Sequence, residues 1–323
     1  MQKKPFQLAV LVGVLALGVL VLTKHQGIED WWRLRNYVVP ADVAAFVSED
    51  AMTDQARTLL YVNHPDITQS STFGSHCPTG TEKTIVLGCY IGNDGGIYIY
   101  KVTDTRLNGV EQVTAAHEML HAAYRRLSGS ERKKVDVMLT DYYAHELTDQ
   151  RIRDTIEAYK KSEPNDVVNE MHSVFGTEIT QLPLPLEQYY QRYFTDRSKV
   201  TGMAASYQGE FTGRRQLIAR YDTQLAALKP QITADESQLE SQRVLLEKQS
   251  QQLDSYRASG QVAAYNAAVP VYNLAVDSYN GLRGTTKALI TQYNAIVEER
   301  NAVALEEQQL TQELSSSALP KSQ

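Results

Sequence analysis

The sequence predicts an α+β fold: a mostly helical domain with a small antiparallel sheet, followed by a long antiparallel helical hairpin. Three observations predict it. Apolar residues recur at three- and four-residue steps through much of the first half, the spacing of a helix that buries one face. Between two such stretches lies a β-branched run, Thr84–Ile91, then the turn Asn93-Asp94-Gly95-Gly96, then Ile97–Val102 alternating with period two. That order reads as a β-hairpin. Beyond residue 214 apolar residues recur every seven positions on either side of one glycine turn, as in two heptad arms.

Taken in order, the chain divides into a membrane anchor over 1–24, a catalytic domain over 25–186, a helical connector over 187–213, a coiled-coil hairpin over 214–314 and a disordered tail over 315–323. In the anchor, Lys3 and Lys4 precede an apolar run from Phe6 to Thr23, and Leu8–Leu22 holds only Leu, Val, Ala and Gly. At about 1.5 Å rise per residue such a run is short but workable for a bilayer core. No small-residue cleavage site follows, so an uncleaved signal anchor is expected, the alternative being a cleaved signal peptide. The basic N-terminus and two pairable cysteines predict a single-pass protein of the cell membrane, anchored through residues 6–23 with its bulk outside the cytoplasm. Trp31 and Trp32 are then expected at the membrane interface or in a core.

A net charge of −6 and the absence of any Lys/Arg run give no reason to expect nucleic acid as a partner. Two cysteines are too few for a disulfide scaffold. A Cys77–Cys89 bridge would tie the loop before the hairpin to the sheet, the alternative being two free thiols. From Asp42 to Tyr61 the pattern predicts one helix, ended by His64-Pro65 and the Ser/Thr-rich stretch Thr68–Ser75. The hairpin also fits peptide chemistry, because an edge strand can hold an extended substrate by its backbone.

After Asn108-Gly109 a helix over Val110–Leu127 carries His117-Glu118-Met119-Leu120-His121. Positions i and i+4 share a helix face, so both imidazoles can reach one metal ion. Glu118 is then placed to act as general base on a water that Zn2+ acidifies. The pair borders the apolar stripe Val113, Ala116, Leu120, Ala123 and Leu127, which favours ligands over solvated side chains. A catalytic zinc takes three protein ligands. The third is not at position 127, which is Leu127, so it comes from farther along the chain.

A helix over Asp166–Phe175 contains Asn169-Glu170-Met171-His172-Ser173, followed by Phe175-Gly176-Thr177. Here the chain resembles the thermolysin-like gluzincins, zinc metallopeptidases whose second helix carries Asn-Glu-x-x-Ser-Asp and then Phe-Gly-Thr. The resemblance covers these two helices. It implies a zincin-like fold, His117, His121 and Glu170 as zinc ligands, Glu118 as base, and a peptide or protein substrate. Val174 stands where the family has an Asp that orients a ligand histidine, which passes that role to Glu178 or Asn169 and leaves Glu178 and His172 as alternative ligands. His145, at the end of the helix that Ser128 and Glu131 begin, is a candidate donor to the oxyanion.

In the last third Ile218, Leu225, Ile232, Leu239, Leu246 and Leu253 form one heptad row, and Val262, Val269, Val276, Ile290 and Val297 form most of another. Ser259-Gly260 turns the chain between them, and Pro230 and Pro270 are expected to kink or break the arms. A rigid spacer is one reading of this hairpin; a docking arm for a coiled-coil partner or a second copy is the other. The main functional expectation is a membrane-anchored zinc metallopeptidase. Its alternative is an inactive envelope scaffold that works through the coiled coil.

Overall fold

The computed structural model describes residues 26–77, 87–92 and 95–315. They form two compact units: the described residues up to Glu210 together with 311–315, and Phe211–Leu310. The fold is α+β, mostly helical with one small mixed sheet.

In the first unit a helix over 26–34 (α1) leads to α2 (Ala41–Glu49) and α3 (Asp54–Tyr61). These replace the single helix expected over Asp42–Tyr61. Ala51 takes a left-handed φ of 50°, and the Thr53 side chain caps α3 by accepting from the Ala56 N–H. The apolar spacing conceals the break because Met52 still points inward, bridging to Phe194.

The strand β1 (Asp66–Thr68) and the helix α4 (Ser70–His76) occupy the stretch read as an irregular break. Phe73 of α4 packs edge-on against Tyr100, with ring centroids 5.6 Å apart, so burial of one aromatic outweighs the Ser/Thr-rich composition around it. β2 (Gly88–Ile91) pairs antiparallel with β3 (Gly96–Tyr100), as a hairpin should. β1 adds to the other side of β3 in parallel, giving the order β1-β3-β2. The sheet is therefore mixed, not purely antiparallel, and among the described residues β2 is an edge strand. Cys77 and Cys89 are joined in a disulfide with Cα atoms 5.9 Å apart, which ties the end of α4 to β2.

The central helix α5 (Val110–Arg125) packs against α3, the sheet and α8 (Val167–Glu178). Between α5 and α8 come α6 (Gly129–His145), begun by a capping box of Ser128 and Glu131, and α7 (Gln150–Ser162). Gly176 of α8 sits where an added Cβ would lie 2.5 Å from Leu120 Cδ1, so the missing side chain lets α8 approach α5 closely. A short α9 (Leu184–Tyr190) follows, and α10 (Ser198–Ala258) begins inside the first unit. The connector expected over 187–213 is thus divided between α9, a turn and the first turns of α10.

In the second unit α10 and α11 (Val262–Glu313) run antiparallel: Arg214 bonds Glu306, Asp222 bonds Arg300, and Thr286 reaches Asp235. Gly260, with φ 69°, makes the turn between them, a conformation only glycine adopts freely. Pro230 and Pro270 lie inside continuous helices and break neither one.

The single-pass membrane placement is corrected. Among the described residues no helix is long and apolar enough to cross a membrane. The apolar helices are short, α5 having 16 residues and α8 12, against the roughly 20 a span needs. The long helices α10 and α11 carry charges along their length. The run over 6–23 on which the anchor was read, and the tail over 316–323, lie outside the described residues. Trp31 and Trp32 are exposed, at 61% and 56%, so neither is a core residue.

Candidate metal centre

The crossing of α5 and α8 brings together the residues the sequence singled out. His117 and His121 stand one helical turn apart, and their Nε2 atoms are 3.0 Å from each other. Glu170 approaches from α8, with Oε1 3.5 Å from His121 Nε2 and Oε2 3.7 Å from His117 Nε2. His121 and Glu170 are buried, and His117 is half-buried. Ligand atoms about 2.0–2.1 Å from a tetrahedral zinc stand roughly 3.3 Å from one another. The three separations bracket that value, and two imidazoles with one carboxylate make the donor set of an open zinc site, so the residues fit a zinc ion.

Burial acts to raise the Glu170 carboxyl, but the charges of His121 and His117 and the nearby Tyr159 hydroxyl outweigh it and hold the group below its ordinary range. Glu118 behaves oppositely. Burial pushes it up to about 7, reinforced by Glu170 and Glu163 and opposed by His121 and a hydrogen bond from the Tyr90 backbone N–H.

That N–H follows from strand register. The Tyr100 N–H donates to Leu87 O at 2.8 Å, and bonded pairs alternate in an antiparallel ladder. Cys89 therefore bonds its partner Tyr98, while Gly88 and Tyr90 point their backbone groups to the other edge of β2, which pairs with no strand among the described residues. Gly88 allows close contact there: an added Cβ would lie 2.5 Å from Thr114 Cγ2 and 2.7 Å from Glu118 Oε1. A cavity of about 1050 Å³ opens beside these groups, bordered by 87–91 and by His117, Glu118, His121 and Glu170.

The other expected site residues lie elsewhere. His145 is exposed, its Nδ1 held 3.0 Å from Asp141 Oδ1, and it is not among the residues that border the cavity. His172 is fully buried, with Nε2 2.8 Å from the Tyr189 hydroxyl and its ring among Tyr124, Tyr190 and Tyr193. Burial lowers it to about 3, and it stands outside the histidine–Glu170 group. Glu178 lines the cavity but is bonded to Arg151 at 2.6 Å, and it too stands outside that group. The Asn169 Nδ2 donates to Asp166 at 3.0 Å. Asn169 Oδ1 and His121 Nδ1 are both buried without a hydrogen-bond partner among the described residues.

Tyr159 of α7 was not foreseen. It lines the cavity near Glu170, and burial, followed by the charges of Glu170 and Glu118, pushes its hydroxyl well above the usual tyrosine range. Its only signal in the sequence is a position on the stripe of Ile152 and Ile156, which an ordinary core aromatic would share.

Comparison of the chain with protein-family models, with curated proteins and with solved structures finds no match.

Proposed function

We propose that this chain is a zinc-dependent peptidase of gluzincin type, built on a zincin-like domain. The observation that carries the reading is the convergence of His117, His121 and Glu170 with a buried Glu118, beside β2. His117, His121 and Glu170 would hold the ion, which when bound supplies a Lewis acid for the scissile carbonyl and acidifies water.

The chain's own residues do the rest. Glu118, raised to about 7 by burial, is matched to take a proton from the attacking water near neutrality and return it to the leaving nitrogen. The Tyr90 N–H and the close approach of Gly88 fix the carboxylate in place. The outward Gly88 N–H and the outward carbonyls of Gly88 and Tyr90 offer an extended peptide backbone groups to pair with. Tyr159, kept protonated, is a hydroxyl donor beside the cluster for the oxygen on which charge develops.

The test is Glu118→Gln in the full chain, assayed on casein and a peptide library with zinc measured in parallel. Zinc retained with turnover lost by at least 10²-fold supports the reading. Normal cleavage by this variant would remove Glu118 as the base, and no cleavage by the unaltered zinc-loaded chain would leave the inactive-scaffold reading.

A second reading concerns the arm formed by α10 and α11, where Leu245, Val271 and Leu274 are exposed at 52%, 59% and 72%. Exposed apolar side chains on heptad helices support a coiled-coil docking surface for a partner or a second copy. Light scattering of the full chain against a variant with those three residues changed to Gln tests self-association.

A further inference from the structure

The proposed site has a second chemical pole along α5. Glu118 and Arg125 are seven residues apart, so they share a helix face and stand about 10 Å apart along its axis. β2 runs alongside in the same sense. Gly88 abuts Glu118, and an added Cβ at Gly92 would lie 2.5 Å from Arg125 Nη1. The Arg125 guanidinium carbon is 5.8 Å from the centre of the Tyr90 ring.

Arg132 joins it at the same end of the cavity. Its Nη2 donates to Tyr124 O at 3.2 Å and to Arg125 O at 3.3 Å. Its Nε is buried without a partner among the described residues. Neighbouring arginines are neutralised: Arg126 pairs with Asp30, Arg151 with Glu178, Arg192 with Glu131 and Arg197 with Glu187. Among the described residues neither Arg125 nor Arg132 has a carboxylate partner. Two guanidinium groups lining one cavity match a carboxylate, which a planar fork binds through paired hydrogen bonds. Glu163 and Asp166 lie at the metal end instead, within 4.8 Å of Glu170, and repel an acidic group there.

We infer that Arg125 and Arg132 form a carboxylate-binding subsite of the peptidase proposed above, and the inference rests on that reading. An extended peptide advances about 3.3 Å per residue, so the 10 Å from Glu118 to Arg125 corresponds to about three residues. The preferred substrate carries a carboxylate about three positions from the bond that is cleaved. That carboxylate belongs either to an Asp or Glu side chain or to the peptide's own C-terminus.

Matched quenched-fluorescent peptides test this with the full zinc-loaded chain. One pair differs by Asp or Asn three positions from the cleaved bond, on either side. A second pair differs by a free or amidated C-terminus at the same distance. Anisotropy of the same peptides on the Glu118→Gln chain reads binding without turnover. The expected result is a preference of roughly tenfold or more for one carboxylate peptide over its amide partner, shrinking as salt is raised. In Arg125→Gln the ratio should fall towards one, and in Arg125→Glu it should turn towards a Lys-bearing peptide. The pair that shows the preference assigns the carboxylate to side chain or terminus. Cleavage with equal kcat/KM and equal binding within both pairs overturns the subsite and leaves the peptidase standing. Carboxylate-selective binding with no turnover by the unaltered chain supports the subsite and overturns the peptidase.

Discussion

Gly88→Ala is the most informative change outside the ligands, because its effect can be worked from distances. The new Cβ would meet Thr114 Cγ2 at 2.5 Å and Glu118 Oε1 at 2.7 Å, where ordinary contact begins near 3.4 Å, so something must give by about 1 Å. Thr114 cannot swing aside cheaply, since its hydroxyl donates to Val110 O at 2.8 Å. Either β2 withdraws from α5 or the Glu118 carboxylate is displaced, and both disturb the bond from the Tyr90 N–H. Overpacking of this kind costs about 1–3 kcal/mol of stability. Misplacing a reacting group by about 1 Å lowers turnover on the order of 10²-fold. Zinc content should stay unchanged, because the ligands come from α5 and α8. The assay compares kcat/KM, zinc stoichiometry and urea midpoint with those of Gly74→Ala, a helical position where an added Cβ meets nothing within 4 Å. Wild-type kcat/KM in Gly88→Ala would refute the packing of Glu118 against β2.

Tyr159→Phe removes the hydroxyl beside Glu170 and should lower kcat about 10- to 10³-fold with zinc retained; an unchanged kcat would leave Tyr159 a packing residue. Removing the disulfide with Cys77→Ala and Cys89→Ala, which span 12 positions, should cost about 3 kcal/mol by urea titration, with β2 losing hydrogen-exchange protection first. Asp50 is fully buried, its carboxylate has no hydrogen-bond partner among the described residues, and burial, then Glu49, raise its pKa well above the ordinary carboxylate range. A raised folded pKa gives stability that is fully present below the unfolded value of about 3.9 and is lost as pH rises towards the folded one. Asp50→Asn should therefore stabilise the chain at pH 7 and have little effect near pH 3; an equal change at both would mean that Asp50 carries no buried charge.

The helices of the candidate metal site were legible because their signals are local. The spacing of His117 and His121 defines one face of a helix, and Asn169-Glu170 lies on a second helix with its own apolar pattern. The bridge between Cys77 and Cys89 was one of two readings of a lone cysteine pair, one in the loop before the hairpin and one in its first strand. What the sequence hid is set by tertiary packing. The break over Asp50–Thr53 keeps the apolar spacing, since Met52 still faces inward. β1 has three residues and is a strand only because β3 is there to pair with it. His145 reads like any helix-end histidine until the surface of α6 shows it in solvent, and Tyr159 reads like core until α7 is laid beside Glu170. Arg125 gains a role only once β2 is seen to run alongside α5.

Zinc stoichiometry of the purified full chain after dialysis against metal-free buffer tests the central claim most directly. With His117, His121 and Glu170 converging as they do, one tightly held zinc per chain is expected. It should be lost in Glu170→Ala and kept in Glu178→Ala and His145→Ala. A folded wild-type chain that binds no zinc, or a Glu170→Ala chain that keeps it undiminished, would contradict the account.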